Sequence, residues 1–471
     1  MEFASVYHRT SEQMSYPLDE DRLIVNLKTG YDVEKVFIHY GDPFEAGILG
    51  GKEKWTGKRE EIVHKKRLSH QIWWTTTLFP FYKRCKYFFE LHTKDQVWYY
   101  FEDGFLTKEQ FHMDGRMLQC FIVPWMNPAD INRTPAWVND TIWYQIFPDR
   151  FCNGTPEKNG DDITPWRDHG SVTNDEKFGG NLEGIRQKLG YLQELGITGI
   201  YLNPIMESPD NHRYSTADYF NVDPYLGTND DFKELCELFK KHGIRIILDG
   251  VFSHTGDDSI YFNKQGHYDS VGAYNSTESP YYPWFSFMEF PHTYHSWWGF
   301  TNLPTVNKLN PEFMKFINDP KTGVLPFWQH LGIGGWRLDV ADEFPDEFLD
   351  ALRVTVKQTD PEALIIGEVW EDATTKYAYD KRRRYFLGKQ LDSVMNYPWK
   401  DAIIEFVQTK NAHALRFAIE ELIDHYPKPV LEVLMNLLDS HDTERIITKI
   451  GFDDTEAVPL HERPTLELTG T

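Results

Sequence analysis

The sequence predicts an α/β protein in which an all-β sandwich domain precedes a (β/α)8 TIM-type barrel. The first observation is length, since 471 residues exceed the size at which one hydrophobic core stops growing. The second is a series of short alternating strands, separated by turn signals such as Asp103-Gly104, before residue 125. The third is a change to strand–helix alternation from Asp140 onward, which implies parallel strands joined by crossover helices.

Each predicted domain has its own signals. Residues 1–124 form the sandwich, with strands such as 22–27, 35–39 and 87–92, and the Pro-, Asn- and Asp-containing residues 125–137 form a linker. The barrel occupies residues 138–471, with strands at 141–146, 198–202, 244–248, 335–338, 364–367, 393–395 and 431–437. Helical stretches such as 230–242, which opens on an Asn-Asp-Asp start signal, separate them. An aromatic-rich insertion at about 255–310 follows the third strand.

The last part of the chain carries no convincing eighth strand, because residues 451–471 are polar and interrupted by proline. The barrel is therefore predicted to be incomplete at its C-terminus, although an open barrel exposes strand edges and core at a cost in stability. Two interpretations stay open. Either residues 458–468 supply an irregular closure, or the chain is a truncated product.

Charge and composition restrict the partners. The net charge of −23 argues against nucleic acid and anionic membrane surfaces, since both would be repelled. Residues 1–17 lack the pattern of a signal peptide, and no stretch of 18 apolar residues occurs. The four scattered cysteines have neither disulfide-framework nor zinc-site spacing. We therefore expect a cytoplasmic protein with no membrane partner and no organic cofactor.

Polar clusters follow four of the predicted barrel strands. They are Asp249-Gly-Val-Phe-Ser-His254, Gly335-Trp-Arg-Leu-Asp339, Gly367-Glu-Val-Trp370 and Asp439-Ser-His-Asp442. A single carboxylate at a strand end is commonly the N-cap of the next helix. Four clusters at one barrel mouth are different, because without a function they would cost stability through desolvation and like-charge repulsion. The sequence therefore predicts an active site at the carboxyl ends of the strands.

In order, these clusters resemble the four signature regions of the α-amylase family, and the surrounding sequence is most similar to its neopullulanase, cyclomaltodextrinase and maltogenic amylase branch. The resemblance covers residues 138–445 almost continuously, and residues 1–124 are similar to the starch-binding-like domain of that branch. It implies a retaining glycoside hydrolase that cleaves α-1,4-glucosidic bonds in cyclodextrins, maltodextrins and pullulan, with some transglycosylation.

Three carboxylates carry the predicted catalysis. Retaining glycosidases need two carboxyl groups roughly 5 Å apart, one as the nucleophile and one as the acid/base. Asp339 is predicted as the nucleophile, since neighbouring Arg337 would hold it ionised. Glu368 is predicted as the acid/base, since the preceding Leu-Ile-Ile-Gly makes its surroundings apolar and favours the protonated form. Asp442 would bind sugar hydroxyls and favour the positively charged transition state.

The resemblance also implies a set of sugar-binding residues, namely His212, Tyr214, His254, Arg337, Glu343, Trp370 and His441. For each histidine, a structural role is an equal alternative. Trp298, in the insertion, is interpreted as a core residue first and a sugar platform second. Two departures from the family pattern are Ser253, in place of the usual Asn, and Ser215, in place of the usual Asp. Neither removes a catalytic group.

A loop rich in Asn and Gly resembles the calcium site of the branch. The predicted ligands are Asn153, Thr155, Asn159, Asp161, Gly179 and Asn181. Oxygen ligands suit this hard cation, and the calcium would be structural. The alternative interpretation is a cluster of turns with no ion.

Assembly and activity follow from the same resemblance. The N-terminal domain implies a homodimer formed through it, whereas the C-terminal β domain of the family is not recognisable and is expected to be absent. Two alternatives to the hydrolase remain. One is a glucanotransferase of the same family, and the other is a truncated, weakly active or inactive glucan-binding barrel.

Overall fold

A computed structural model describes residues 1–44, 55, 57–113, 119–131, 133–158, 160, 162–167, 172–386 and 390–451. The chain divides into two compact units. Unit 1 contains residues 1–133 and 412–432, and unit 2 contains residues 134–411 and the segment from 433 onward.

The strands, in chain order, are β1 Ser15–Pro17, β2 Leu23–Thr29, β3 Val33–Gly41, β4 Lys58–Ile62, β5 His64–Arg67, β6 Ile72–Leu78, β7 Cys85–Thr93, β8 Val97–Phe101, β9 Gly104–Thr107, β10 Phe121–Val123, β11 Trp143–Ile146, β12 Gly199–Leu202, β13 Met206–Glu207, β14 Asp218–Val222, β15 Arg245–Gly250, β16 Phe287–Glu289, β17 Thr293–Tyr294, β18 Gly335–Leu338, β19 Leu364–Gly367, β20 Tyr377–Ala378, β21 Lys381–Arg382, β22 Ser393–Asn396 and β23 Met435–Asn436.

The α-helices, in chain order, are α1 Lys108–Met113, α2 Leu182–Gln187, α3 Leu189–Glu194, α4 Asn229–Lys241, α5 Pro311–Asn318, α6 Val324–His330, α7 Asp346–Thr359, α8 Tyr397–Thr409, α9 Ala412–His425, α10 Lys428–Leu431 and α11 Ile446–Gly451. None of the helices in the described part of the chain is long and apolar enough to cross a membrane.

Unit 1 contains a sandwich of two antiparallel sheets. Their strand orders are β1-β2-β6-β5 and β4-β3-β7-β8-β9, and β10 pairs with β7. Alternation along the strands explains the arrangement, since Val36 and Ile38 of β3 are buried whereas Lys35 is exposed. Leu27 of β2 and Phe89 of β7 belong to one hydrophobic core built from both sheets. The predicted all-β sandwich is therefore confirmed.

Helix α9 groups with unit 1, whereas the sequence analysis included residues 412–432 in the barrel segment. Asp424 forms an ion pair with Lys28 at 2.7 Å. Glu420 accepts a hydrogen bond from the backbone N–H of Ser69 at 3.0 Å. These contacts join residues more than 350 positions apart, so no local pattern along the sequence indicates them.

Unit 2 contains seven parallel strands among its described residues, in the order β11-β12-β15-β18-β19-β22-β23. They form a nearly closed barrel, and the predicted TIM-type architecture is confirmed. The last strand, Met435–Asn436, is shorter than the predicted 431–437, and residue 431 ends helix α10 instead. The predicted closure by residues 458–468 lies outside the described residues.

Local sequence signals determine the elements that position the site. Helix α4 follows the predicted start signal, where Thr228 and Asp231 exchange hydrogen bonds in a capping box. Gly335 opens β18 with a φ of +153°, and a Cβ there would lie 2.2 Å from the carbonyl oxygen of Leu364. Only glycine fits this close approach, which lets β18 pair with β19.

The predicted insertion at about 255–310 contains the short hairpin β16–β17 and packs mainly through aromatic rings. The ring of Phe262, for example, lies 4.9 Å from that of Phe285 and 4.7 Å from that of Tyr294, measured between centroids. This packing supports a long segment that has little regular structure of its own.

Candidate active site

A cleft of about 1670 Å³ is lined by residues at the carboxyl ends of the barrel strands. The three predicted catalytic carboxylates all line it. Asp339 directly follows β18, Glu368 directly follows β19, and Asp442 lies in the loop after β23. The structure thus brings together clusters that the sequence shows far apart.

Arg337 lies at the centre of the cluster and is fully buried. Its Nη1 donates to both carboxylate oxygens of Asp249, at 2.8 and 2.9 Å, and to Oδ1 of Asp339 at 2.8 Å. Its Nη2 lies 2.8 Å from Oε2 of Glu368 in an ion pair without hydrogen-bond alignment. One guanidinium therefore contacts three carboxylates.

The charge balance of this cluster is negative, because three carboxylates share one cation. Burial raises the pKa of Asp339; Arg337 opposes the rise, and Glu368 and Asp249 add to it, so that the pKa lies well above its usual range. Burial likewise raises the pKa of Asp249. The predicted pairing of Asp339 with Arg337 is present, and the pull of Arg337 toward the ionised form is opposed by burial and by the two neighbouring carboxylates.

Glu368 is held by two further donors. Its Oε2 accepts a hydrogen bond from the backbone N–H of Val340 at 2.8 Å, and its Oε1 accepts one from the Trp370 indole at 2.9 Å. Val340 has a φ of +41°, a left-handed conformation that a β-branched residue rarely adopts. Such strain is typical of functional sites. Trp370 is itself fixed by stacking on Tyr397, with centroids 4.0 Å apart.

Asp442 and His441 lie at the edge of the same cluster. Burial raises the pKa of Asp442 to about 6, Glu368 adds to this rise, and Arg337 opposes it. The Nε2 atom of His441 lies 3.3 Å from Oδ1 of Asp442. The His441 ring stacks on Tyr214 at a centroid distance of 5.4 Å and an angle of 7°.

The other two predicted histidines differ in exposure. His254 is buried, which lowers its pKa to about 3, and Ser253 Oγ lies 2.8 Å from its Nδ1. The serine that departs from the family pattern thus contacts this ring. His212 is partly exposed in the cleft, and its Nδ1 accepts a hydrogen bond from the backbone N–H of Tyr214 at 3.1 Å.

Glu343 lies on a different wall of the cleft, beside two indoles. Its Oε1 accepts hydrogen bonds from Trp297 at 3.0 Å and from Trp298 at 3.2 Å. Trp298 is 79% exposed and has a φ of +49°. The interpretation of Trp298 as a core residue is therefore wrong, since its side chain is exposed in the cleft.

Gln145 and Asn203 also belong to the site, although neither was predicted from the sequence. Gln145, on β11, lines the cleft, and Asn203, which directly follows β12, is fully buried. Gln145 donates to Oδ1 of Asn203 at 2.8 Å and lies 2.6 Å from Nδ1 of His441. The sequence did contain a signal for both residues, since each is a polar residue at or just past the end of an apolar barrel strand.

Comparison with protein families identifies the family to which this site belongs. Residues 145–468 match the α-amylase catalytic domain, and residues 1–124 match the N-terminal Ig-like domain found in α-amylases. The chain belongs to the α-amylase family. The predicted family and enzyme class are confirmed, and this α-amylase-family protein is a glycoside hydrolase.

Relatives of this α-amylase-family protein extend over almost all of its length. It is 35% identical to a cyclomaltodextrinase from Geobacillus thermopakistaniensis, over 95% of this chain and 73% of the relative. It is 32% identical to an intracellular maltogenic amylase from Bacillus subtilis, over 97% of this chain and 74% of the relative. A solved cyclomaltodextrinase structure, 32% identical, superimposes with a TM-score of 0.77 over 96% of this chain and 74% of that one.

The predicted calcium ligands of the α-amylase-family protein are only partly described, since Asn159 and Asp161 lie outside the described residues. Oδ1 of Asn181 accepts hydrogen bonds from Gly154 and Gly184, so it caps helix α2. Oδ1 of Asn153 accepts one from the N–H of Thr155. These bonds fit the turn-cluster alternative as well as a metal loop. Among the described residues, no group of three or more His, Cys, Asp or Glu side chains has the placement of a metal site.

Proposed function

We propose that this α-amylase-family protein hydrolyses α-1,4-glucosidic bonds in cyclodextrins, maltodextrins and pullulan by double displacement with retention. The observation that carries the proposal is the shared contact of Asp339 and Glu368 with Arg337. Two carboxylates that contact one guanidinium lie close together, which is consistent with the roughly 5 Å separation of a retaining pair.

The first chemical step forms a glycosyl-enzyme. Asp339 attacks the anomeric carbon, the bond from that carbon to the glycosidic oxygen breaks, and Glu368 gives its proton to the leaving oxygen. The backbone N–H of Val340 and the indole of Trp370 hold Glu368 in place for this transfer. The net negative charge around Arg337 favours the positively charged transition state.

The second step reverses these roles. Glu368 removes a proton from water, the water oxygen bonds to the anomeric carbon, and the bond to Asp339 breaks. A sugar hydroxyl that replaces water gives transglycosylation. Asp442, His212, Tyr214, His254 and His441 are proposed to bind the sugar at the bond that is cut, and Glu343 and Trp370 the sugars on the leaving side.

The test compares the parent enzyme with Asp339→Asn on β-cyclodextrin, maltodextrin and pullulan. We expect the variant to lose at least roughly a thousandfold in kcat, because a nucleophile cannot be replaced by an amide. Asp269→Asn, at an exposed position of the same unit, is the matched control and should keep full activity. Equal, near-zero rates in the parent and Asp339→Asn would favour an inactive glucan-binding barrel.

The anomeric configuration of the first product tests the double displacement, since NMR on fresh product shows retention or inversion. Inverted product would rule out the mechanism. Product formation that depends on a sugar acceptor, with little release into water, would instead favour the glucanotransferase alternative.

We also propose a cytoplasmic location, a homodimer formed through the N-terminal domain, and one structural calcium ion at the predicted loop. The name of the Bacillus subtilis relative, an intracellular enzyme, supports the first, and four free cysteines fit a reducing compartment. Cell fractionation tests the location, and a periplasmic or secreted protein would contradict it. Light scattering at micromolar concentration tests the dimer, and a strict monomer would contradict it. Metal analysis after dialysis tests the calcium ion, and metal-free protein of unchanged stability would contradict it.

A further inference from the structure

A polar network at the base of the cleft contains two side chains that the proposed mechanism does not use, Gln145 and Asn203. Both contact residues proposed to bind the sugar. Asn203 donates from Nδ2 to the Tyr214 hydroxyl at 3.1 Å, and Gln145 Nε2 lies 2.6 Å from a ring nitrogen of His441. The hydrogen bonds of the network determine where each proton lies.

Tyr214 fixes the first proton. Its hydroxyl donates to Oδ2 of Asp249 at 2.6 Å, so its oxygen has only acceptor capacity left. That oxygen accepts from Asn203, and Nε2 of His441 lies 2.7 Å away. His441 must therefore carry a proton on Nε2. Without that proton, the lone pair of Nε2 would face a lone pair of the Tyr214 oxygen.

Gln145 fixes the other ring nitrogen. Its Nε2 has two protons, of which one goes to Oδ1 of Asn203 at 2.8 Å and the other points to Nδ1 of His441 at 2.6 Å. Nδ1 therefore accepts and carries no proton. The reverse orientation of the Gln145 amide would place its oxygen against Oδ1 of Asn203, an acceptor–acceptor contact. The orientation of Asn203 is in turn fixed by Tyr214.

We propose that Gln145, oriented by Asn203, is a positioning residue that holds His441 in the neutral form protonated on Nε2. The inference rests on the proposed function in one respect, since His441 and Tyr214 are proposed there to bind the sugar. In this form, His441 adds no second cation to the Arg337 cluster, and it keeps the Tyr214 proton directed at Asp249.

Several titratable groups face His441. Asp442 lies 3.3 Å from its Nε2, Tyr214 stacks on the ring, and Arg337 and His212 act on it through their charge. Burial, together with the smaller effects of Arg337 and His212, lowers the pKa of His441 to about 3. The nearby anion Asp442 is therefore outweighed, and the Gln145 amide, which only donates here, gives no stabilisation to a charged ring.

The closing experiment reads the tautomer directly, by NMR of the full-length enzyme labelled with nitrogen-15 in its histidine rings. The His441 signals are assigned by their loss in His441→Asn. Between pH 5 and 8 we expect one protonated nitrogen, Nε2, and one unprotonated nitrogen, Nδ1, in the parent. A doubly protonated ring at pH 7, or a proton on Nδ1, would overturn the proposal without any measurement of activity.

Two variants test the role of Gln145 itself. Gln145→Glu keeps the shape of the side chain, but an ionised carboxylate can only accept a hydrogen bond from the His441 ring. His441 should then become doubly protonated and titrate between pH 5 and 8. Gln145→Met lacks the donor and should lower kcat/KM about tenfold, the equivalent of one lost hydrogen bond. The kcat/KM profile of Gln145→Glu should gain a pH step that the parent lacks.

Gln193→Glu, at an exposed position on α3, is the matched charge control and should change neither the His441 signals nor the pH profile. Unchanged His441 signals in folded Gln145→Glu would overturn the proposal. If a variant does not fold, the parent spectrum still decides the tautomer. Failure of the proposed function would instead appear as a parent enzyme no more active than Asp339→Asn, or as inverted product, so the two failures are distinguishable.

Discussion

A buried carboxylate cluster around Glu90 in unit 1 and one around Arg337 in unit 2 have opposite compositions. In unit 1, Glu90 is a single carboxylate among three bases. Arg59 donates to it through Nε at 2.9 Å and Nη2 at 2.8 Å, and the rings of His39 and His92 contact its oxygens at 2.7 and 2.6 Å. Burial alone would raise the pKa of Glu90, but these bonds together hold it well below its usual range.

In unit 2 the ratio of basic to acidic groups is reversed, because the single cation Arg337 contacts three carboxylates, those of Asp249, Asp339 and Glu368. Burial disfavours the charged form of Arg337, yet the surrounding anions raise its pKa above the usual range. The pKa values of Asp249 and Asp339 are raised as well.

This difference separates a structural cluster from a functional one. A carboxylate with more partners than it needs contributes to the fold, since every lone pair is satisfied. One cation among three carboxylates cannot neutralise them, so the cluster keeps an excess of negative charge. This excess lowers stability but favours a positively charged transition state. We therefore expect the Arg337 cluster to lower the stability of unit 2 and to favour catalysis by the same excess of negative charge.

The largest effect is expected on removal of the cation in unit 2. Arg337→Met leaves buried carboxylates without a partner and should lower the free energy of unfolding by about 3–5 kcal/mol, with loss of activity. Arg59→Met in unit 1, where the arginine is 45% exposed and two histidines remain, should cost no more than about 1 kcal/mol. Urea unfolding, followed separately in each unit by hydrogen exchange, measures both. Equal losses in the two variants would contradict the comparison.

The next effect concerns the carboxylate of unit 1. Glu90→Gln should lower the free energy of unfolding of unit 1 by about 1–2 kcal/mol at pH 7, because an amide accepts less well from Arg59 and two rings. The folded pKa of Glu90 is lowered, so its stabilisation is full above its unfolded pKa of about 4.3 and declines as the pH falls below that value. The variant should therefore lose less stability on acidification than the parent. A steeper acid loss in Glu90→Gln would count against this assignment.

A smaller effect should appear in the pH dependence of activity. The pKa of Asp442 is raised to about 6, chiefly by burial and then by Glu368. Its ionised form is proposed to favour the transition state, so kcat/KM should fall as the pH drops through about 6. In Asp442→Asn, kcat/KM should be lower by roughly 10²–10³-fold at neutral pH. It should no longer fall as the pH drops through about 6. A limb that stays near pH 6 in the variant would assign it to another group.

The chemistry-bearing residues were predictable because a parallel barrel collects the carboxyl ends of its strands at one mouth. Asp339 and Glu368 are the first residues after their strands, so alternation along the sequence was enough to place them. The packing of α9 in unit 1 was not predictable, because Asp424 and Lys28 are joined only by tertiary structure.

The proton arrangement was also beyond the sequence. Gln145 looks like any polar residue of a strand, and its effect on His441 depends on a chain of side-chain orientations that runs through two other residues. The same holds for the charge balance around Arg337, since a pair that sits two positions apart in sequence gave no indication of the two further carboxylates. Trp298 was misinterpreted for a related reason, because an aromatic-rich insertion shows nothing about which ring is exposed.

The difference between the two clusters is tested by the free energy of unfolding of Asp339→Asn, measured beside that of Glu90→Gln under the same conditions. Removal of one negative charge from the Arg337 cluster should raise the free energy of unfolding of unit 2 by about 1 kcal/mol at pH 7 while activity is lost. Glu90→Gln should change the stability of unit 1 in the opposite direction. A loss of stability in Asp339→Asn comparable to that of Glu90→Gln would show that the Arg337 cluster instead stabilises unit 2.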